Sequence, residues 1–600
     1  MLPTFLHSFE CEFLSAFCAP KLLQRLMIYQ RYHNLPITPI WLNHHTTDEA
    51  SQQSHSVIGL LPMVSFLYER CDTLCAKAVL SKQISRQMQV FTKCVIHSHA
   101  NIQTLKQWQS AKTVTFTQAS DYHHYLLDNK INISQLSNRS INQQIIKFEL
   151  SHDDAGYRQF ADYLMAYCCH QDYVSINNTS NKINKPPNTG YHHGLMGFIS
   201  YDASVIYLTN DFTEQSKQIN QPQPLAYFGH YPLFLSVMTL KDGNNHPYYK
   251  WKLHAQNAWA VSLIDDVVQL LKDMLTLSTS ILTTLSSHEQ NMSKQSKQAS
   301  PPPLILTPLW TKTDYQHAFD KVQAHLHAGD CYQINLTQCW QAKLPIKANG
   351  DLCQLVEYLP KLHGSTHAPF AGYLMLANTP SFNHDCKYFE LLSCSPELFV
   401  QFQFTLDGLS PLKITTKPIK GTRPRGKTLA EDQALYNELL NSQKDLAENV
   451  MIVDLLRNDL GKYAQTGSVT VPKRFAIESF SNVHHMVSTI TATLKQDVHP
   501  IWVLFDSLPA GSITGTPKKR SVELIHQLEL MPRGAYCGTL GYLNFDGTGV
   551  FNVLIRTLQA KNDGTVQLWA GGGITVASDC ELEWQECHDK VGNLLNILSN

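Results

Sequence analysis

No stretch of roughly eighteen consecutive apolar residues occurs in this sequence, so no membrane-spanning helix is expected. Neither sign of charge is in excess: 48 Lys and Arg stand against 49 Asp and Glu. That balance gives no basic surface for a nucleic acid and no polybasic patch for an acidic membrane. The 15 cysteines contain no C-x-x-C pair, and their scatter fits reduced thiols rather than a disulfide framework. Neither they nor the 28 histidines show the spacing of a zinc quartet. Phe5, Leu6, Phe9, Phe13, Leu14 and Phe17 are interrupted by Glu10 and Glu12 and follow no positively charged end, unlike a secretory signal. A soluble, cytoplasmic protein is expected. A glutaminase signature of the G-x-C-x-G type is also missing, so release of ammonia from glutamine is not expected of this chain alone.

What is present is long enough for more than one core, since 600 residues exceed the usual single unit. Residues 286–303 are polar, rich in Ser, Gln and Lys, and end in consecutive prolines. This reads as a linker between an N-terminal region, 1–285, and a catalytic region, 304–600. Before the linker, Ser151 to Asp154 reads as an N-cap with an acidic first turn, leading into a helix through Phe160, Leu164 and Tyr167. Residues 176–189 have no apolar period and read as an exposed loop. G-L-M-G-F-I-S-Y-D, from Gly194 to Asp202, reads as a buried strand with glycines at close backbone approaches. After the linker, Thr313 is a candidate cap for a helix carrying Tyr315, Phe319, Val322 and Leu326 on one face and ended by Gly329, and Cys331 to Trp340 alternates like a strand. These patterns alone give only a mixed α/β protein.

Candidate chemistry concentrates between Ser393 and Gly461. It comprises S-C-S-P-E-L-F (Ser393–Phe399), K-P-I-K-G-T-R-P-R-G (Lys417–Gly426) and K-D-L-A-E-N-V-M-I-V-D-L-L-R-N-D-L-G (Lys444–Gly461). Lys420 lies between a Pro-Ile pair and a Gly-Thr turn, which suits an anion site or a nucleophile. Asp445 and Glu448 fall on one helix face, and Glu583, Glu586 and Lys590 on another that follows an apparent capping box, Ser578-x-x-Glu581. Taken singly, the commoner reading of these is a solvated loop and exposed helix faces with the i,i+4 pairs Lys444/Glu448 and Glu586/Lys590.

Further blocks follow in order: A-G-D-C-Y-Q-I-N-L-T-Q (Ala328–Gln338), P-A-G-S-I-T-G-T-P-K (Pro509–Lys518), Y-C-G-T-L-G-Y (Tyr536–Tyr542) and G-G-G-I-T-V-A-S-D-C-E-L-E-W-Q-E (Gly571–Glu586). Together these segments resemble the chorismate-utilising enzymes, the family of anthranilate synthase component I, aminodeoxychorismate synthase component I and the isochorismate and salicylate synthases. The match is dense over the last half of the chain and thin before it, where Gly194–Asp202 fits the family's G-x-x-G-x-x-x-Y-D element. The resemblance implies an α/β fold of the α+β type: a two-lobed sandwich of large antiparallel sheets with surrounding helices, and the active site between them.

It also implies roles. The residues matching Glu448 and Glu586 hold Mg²⁺, which in turn holds one carboxylate of chorismate, with Asp445 and Glu583 in support; a hard cation of this kind takes one or two carboxylates plus substrate oxygens. Arg556 and Tyr536 match positions for the second carboxylate, where a guanidinium's forked donors fit. Gly421, Thr422, Lys590 and the backbone of Gly571, Gly572 and Gly573 match further substrate contacts, and His485 matches the active-site histidine. Glu397 matches the general acid, and its apolar neighbours Pro396, Leu398 and Phe399 suit a carboxyl kept protonated. Anthranilate synthases usually carry P-I-A-G-T where this chain reads Pro418-Ile419-Lys420-Gly421-Thr422; the lysine form belongs to the branch that aminates chorismate at C4 on the folate route. There lysine attacks C2, and a separate glutamine amidotransferase subunit supplies ammonia.

Two alternatives stay open. One is anthranilate or isochorismate synthesis on the same fold. The other is a non-catalytic chorismate-binding paralogue, which would be expected to have lost a catalytic residue; none of Lys420, Glu397, Glu448 and Glu586 is missing. The sequence departs from the family at Leu35 to His45, where Asn43 replaces the serine of a tryptophan pocket. It also departs in an apparent hairpin extension around Leu406 to Gly408, and at Asp445, where many relatives have glutamate.

Overall fold

The computed structural model describes residues 7–33, 38–45, 54–73, 89–98, 112–116, 144–150, 157–162, 164–165, 167–168, 190–209, 223–241, 247–287, 301–347, 350–377, 388–404, 412–480 and 483–600. The expected cap at Ser151–Asp154, the loop 176–189, the hairpin around 406–408 and most of the linker lie outside them. Two large sheets dominate, one of twelve strands and one of thirteen. They are antiparallel except where Lys112–Phe116 pairs with Gln144–Leu150 in parallel. This is the two-sheet α/β sandwich expected of the resemblance.

Strands from both sides of the linker are neighbours in each sheet. In the first, Ile40–His45 pairs with Phe370–Ala377; in the second, Gly194–Ile199 pairs with Thr539–Asn544. The N-terminal strand Gly194–Ile199 is buried throughout, and a Cβ on Gly197 would sit 1.9 Å from the carbonyl oxygen of Tyr227. Gly197 is therefore glycine because a neighbouring backbone occupies the space a side chain would need. The core is likewise shared. Tyr157 stacks obliquely on Phe505 at 5.0 Å and donates its hydroxyl to the Phe505 carbonyl, and Trp41, Phe160 and Tyr373 are fully buried in the same cluster. Each such side chain contributes roughly 2–3 kcal/mol relative to exposure.

Two expected helix starts move. Lys312–His327 is capped by Thr311 rather than Thr313, because Asp314 at the third position returns a bond to the Thr311 backbone and completes a capping box. Cys580–Ser599 is capped by Asp579, which accepts from the Leu582 N–H, rather than by Ser578. Ser578 is instead spent on the site: its hydroxyl donates to Glu583 at 2.7 Å. The segment read as alternating, now Gln333–Lys343, is buried on both faces from Gln333 to Trp340. It runs inside the first sheet against Thr565–Ile574, with helices Lys312–His327 and Lys518–Leu528 packed on it, so no face is left for water. Among the described residues no helix is long and apolar enough to cross a membrane.

Candidate active site

Lys420 sits in the strand Ile419–Pro424, which pairs with Val483–Thr493. Ile419 faces Val487 but Thr422 faces His485, so one extra residue is accommodated between them. Gly421, at φ +83°, takes the left-handed conformation of this bulge, and a Cβ there would lie 2.7 Å from Leu439 and 2.8 Å from Asp445. A bulge re-aims the side chains beside it. Lys420 is turned inward, 8% exposed, with its Nζ 3.7 Å from Glu448 Oε2.

Glu397 occupies the turn between strands Tyr388–Ser395 and Leu398–Phe404. Burial drives its carboxyl up to about 7, against the lowering effects of a hydrogen bond from Ser512 and the charge of Lys420. The Ser512 hydroxyl donates to Glu397 Oε1 at 2.7 Å. A general acid must be protonated to work, so turnover that depends on Glu397 should fall as pH rises through about 7. Removing a donor that favours the carboxylate raises the pKa further. Ser512→Ala should therefore move the alkaline limb of the pH–rate profile upward, a shift that Ser512→Thr should largely reverse; an unmoved limb in the alanine variant would separate Glu397 from the rate-determining proton.

The two carboxylate helices meet. Gln443–Gly461 begins at Ser442, whose hydroxyl caps the Asp445 N–H, and it presents Lys444 and Glu448 to Glu583 and Glu586 of Cys580–Ser599. Lys444 Nζ lies 2.6 Å from Glu583 Oε1 and 3.9 Å from both Glu448 Oε1 and Glu586 Oε2. Lys590 bonds Glu586 Oε1 at 2.6 Å and the Gly571 carbonyl at 2.7 Å. Burial pushes the Glu448 pKa up despite Lys420 and Lys444, whereas Lys590 holds Glu586 down at about 2. Burial disfavours the charge on Lys590, but Glu586, with Cys587 and Glu583, raises its pKa to about 12. For Lys444 too, burial disfavours the charge, but Glu583, Glu448 and Glu586 together raise its pKa.

These residues fit a hard divalent cation. Glu583 is 1% exposed, and its Oε2 is buried without any hydrogen-bond partner. A side chain on Gly572 would fall 2.7 Å from that atom and 3.6 Å from Glu586 Oε1, so the glycine keeps the approach to the carboxylates clear. Among the described residues no three His, Cys, Asp or Glu converge as a ready-made cage; Mg²⁺ needs only one or two carboxylates beside substrate oxygens and water. Asp445 does not join the cluster. It pairs with Arg423 at 3.4 Å, its shorter side chain lying beside Gly421.

Near His485 is a cation with nothing to hold among the described residues. Arg556 has no hydrogen-bond or ion-pair partner for its guanidinium among the described residues, and burial lowers its pKa. Its backbone is at φ +52°, a conformation L-residues rarely adopt without a structural demand. Tyr536 stacks on Trp569 at 5.9 Å. His485 bonds Thr422 Oγ1 through Nδ1 at 2.8 Å, and its pKa falls to about 3 through burial first and then Arg556, so it is neutral. Gly571–Gly573 lie within the strand Thr565–Ile574 rather than in a turn. The neighbouring strand Thr557–Lys561 stops pairing at Leu568, leaving the glycines' edge on that side outside that ladder.

Three participants had no individual signal in the sequence. Ser512 is one, and Lys444, at the centre of the acid cluster rather than on a solvated face, is another. The third is Arg533, 1% exposed, which bonds Glu529 through Nε and Nη2, donates to the Ile513 and Asn335 carbonyls, and lies over the ring of Tyr201. It ties the Ser512 turn to the strand beneath it.

Residues 122–596 match the family described as chorismate binding enzyme. The chain belongs to this chorismate-binding family. Within it, the chain is 44% identical over 302 residues to aminodeoxychorismate synthase component 1 of Salmonella typhimurium, covering 50% of this chain and 61% of that protein. It is 42% identical over 309 residues to the protein of the same name from Escherichia coli, covering 51% and 63%. The matched segment thus spans about three fifths of those relatives' length. An anthranilate synthase component I-like protein of Synechocystis matches further, 32% identical over 415 residues, covering 69% of this chain and 74% of that one. Among solved structures, anthranilate synthase component I from Streptococcus pneumoniae superposes with a TM-score of 0.51 at 22% identity over 72% of this chain and 85% of that one. The isochorismate synthase MenF from Escherichia coli gives 0.52 at 14% identity, covering 100% and 96%. These two speak for the fold of the chorismate-binding family.

Proposed function

We propose that this chain is the aminating component of an aminodeoxychorismate synthase. It would convert chorismate and ammonia to 4-amino-4-deoxychorismate on the route to 4-aminobenzoate and folate, with a separate glutamine amidotransferase as the ammonia source. The observation that carries this reading is Lys420: a lysine turned by a bulge into a buried site, between a carboxyl held up to about 7 and an acid cluster. The names of the relatives at 44% and 42% identity support it.

Chorismate is a dianion. Arg556, a half-buried guanidinium without a hydrogen-bond or ion-pair partner among the described residues, suits one carboxylate; Glu448 and Glu586 would hold Mg²⁺, which when bound supplies positive charge for the other. With the ring so placed, Lys420 as the neutral amine forms a bond to C2, both ring double bonds shift by one position, and the C4–O bond breaks. Glu397 gives its proton to the departing hydroxyl, which leaves as water. Ammonia then bonds to C4, both double bonds return, and the C2–N bond to Lys420 breaks. Atoms balance as chorismate plus ammonia giving aminodeoxychorismate plus water. Thr422, bonded to His485, keeps the Lys420 strand in place on its neighbour.

The purified chain with chorismate and Mg²⁺ should form 4-amino-4-deoxychorismate from ammonium salts, but from glutamine only after an amidotransferase is added. Chromatography coupled to mass spectrometry reads both arms. Anthranilate or isochorismate as the main product, or glutamine-dependent turnover by this chain alone, would overturn the proposal.

A further inference from the structure

Among the described residues three cations touch the acid cluster: Lys420, the proposed nucleophile, beside Glu448; Lys590, held between Glu586 and the Gly571 carbonyl; and Lys444. Lys444 touches no reacting atom in the proposed scheme, yet among the described residues it alone reaches all three carboxylates, at 2.6 Å from Glu583 and 3.9 Å from Glu448 and Glu586. An ammonium there is a compact point charge at the end of a flexible stem. Its side chain is 39% exposed, so it can leave for solvent without disturbing the helix that carries it.

We propose that Lys444 is a resident counter-cation: it neutralises the Glu448–Glu583–Glu586 cluster while no divalent ion is bound, and it must yield that position when one arrives. It therefore sets the affinity of the site for the metal. The proposal rests on the reading that Glu448 and Glu586 hold Mg²⁺, and it deepens that reading. Two features of the cluster support it. Glu583 does not depend on Lys444 alone, since the Ser578 hydroxyl donates to the same oxygen at 2.7 Å. Its other oxygen, buried and unbonded, leaves an acceptor that Lys444 does not satisfy. A site whose binding-competent form must first release an internal cation binds its ligand more weakly by the fraction of time that cation is away. Without Lys444, Lys420 and Lys590 still face Glu448 and Glu586, but Glu583 would lie among like charges with no ammonium beside it, so Lys444 also stabilises the metal-free fold.

The test is calorimetric titration of Mg²⁺ into metal-free protein, wild type against Lys444→Met and Lys444→Gln, without substrate and again with chorismate, alongside thermal melts. Loss of a unit charge about 4 Å from the site should tighten Mg²⁺ binding at least about tenfold in both variants. Their metal-free melting temperatures should drop, and Mg²⁺ should raise them more than it raises the wild type. The glutamine variant keeps a polar partner for Glu583, so it reports even if the methionine variant does not fold. Unchanged or weaker binding in the folded variants, with the wild type binding normally, would overturn the role of Lys444 while leaving the metal site intact. No Mg²⁺ binding by wild type or variants, with or without chorismate, would instead remove the metal reading and this proposal with it.

Discussion

Lys420→Ala should lower formation of aminodeoxychorismate by orders of magnitude while changing the affinity for chorismate little. The substitution turns Pro418-Ile419-Lys420-Gly421-Thr422 into the sequence usual in anthranilate synthases, leaving Glu397, Arg556 and the carboxylate helices in place. Losing an interaction made only along the reaction path lowers kcat, whereas losing one made equally in the ground state raises KM. The carboxylates of chorismate are held by other groups, so binding measured by calorimetry should persist. Removing the ammonium also leaves Glu448 without its nearer partner at 3.7 Å, so the pKa of this buried carboxyl should climb further. Residual product should come from direct attack at C2, as in the sister enzymes. A variant that made aminodeoxychorismate near the wild-type rate would end covalent catalysis by Lys420.

Glu448→Gln and Glu586→Gln should each abolish Mg²⁺-dependent turnover and leave circular dichroism unchanged, since each removes a charge with almost no change of volume. They should differ in one respect. Glu586 is the partner that keeps Lys590 at about 12, so Glu586→Gln should also loosen Lys590 from the Gly571 carbonyl. Glu448 is buried against Lys420, so its loss strips from the nucleophile the carboxylate 3.7 Å away. Titration of Mg²⁺ by calorimetry, with rates measured at saturating metal, separates the two. Wild-type activity in either variant would remove that residue from the ligand set.

Much of the site was legible because its residues sit in short continuous motifs. Lys420 and Gly421, Glu448, and Glu583 with Glu586 could be paired from spacing and resemblance, and they do converge. The resemblance also led to the two-sheet sandwich. What spacing could not give was cross-chain geometry. Lys444 and Glu448 look like an exposed i,i+4 pair until the helix 139 positions later in sequence puts Glu583 in front of both. Asp445 shares its helix face with Glu448 but is taken by Arg423, a residue of the neighbouring strand. Ser512 reaches Glu397 across 115 positions, and no local pattern reports a hydroxyl aimed at a distant carboxyl. The helix caps slipped by one or two residues because Asp314 and Asp579 were competing side-chain acceptors close to the chosen ones. The glycine run is a strand interior whose missing side chains leave room for Glu583, Glu586 and Lys420.

Covalent attack by Lys420 is tested most directly by peptide mass spectrometry of the wild-type chain quenched with chorismate and Mg²⁺ in the absence of ammonia. The expected result is a modification on the peptide containing Lys420 equal in mass to chorismate less one water, missing from Lys420→Ala and lost when ammonium is added before the quench. An unmodified Lys420 peptide from a preparation that makes aminodeoxychorismate on addition of ammonium, or the same modification in Lys420→Ala, would contradict it.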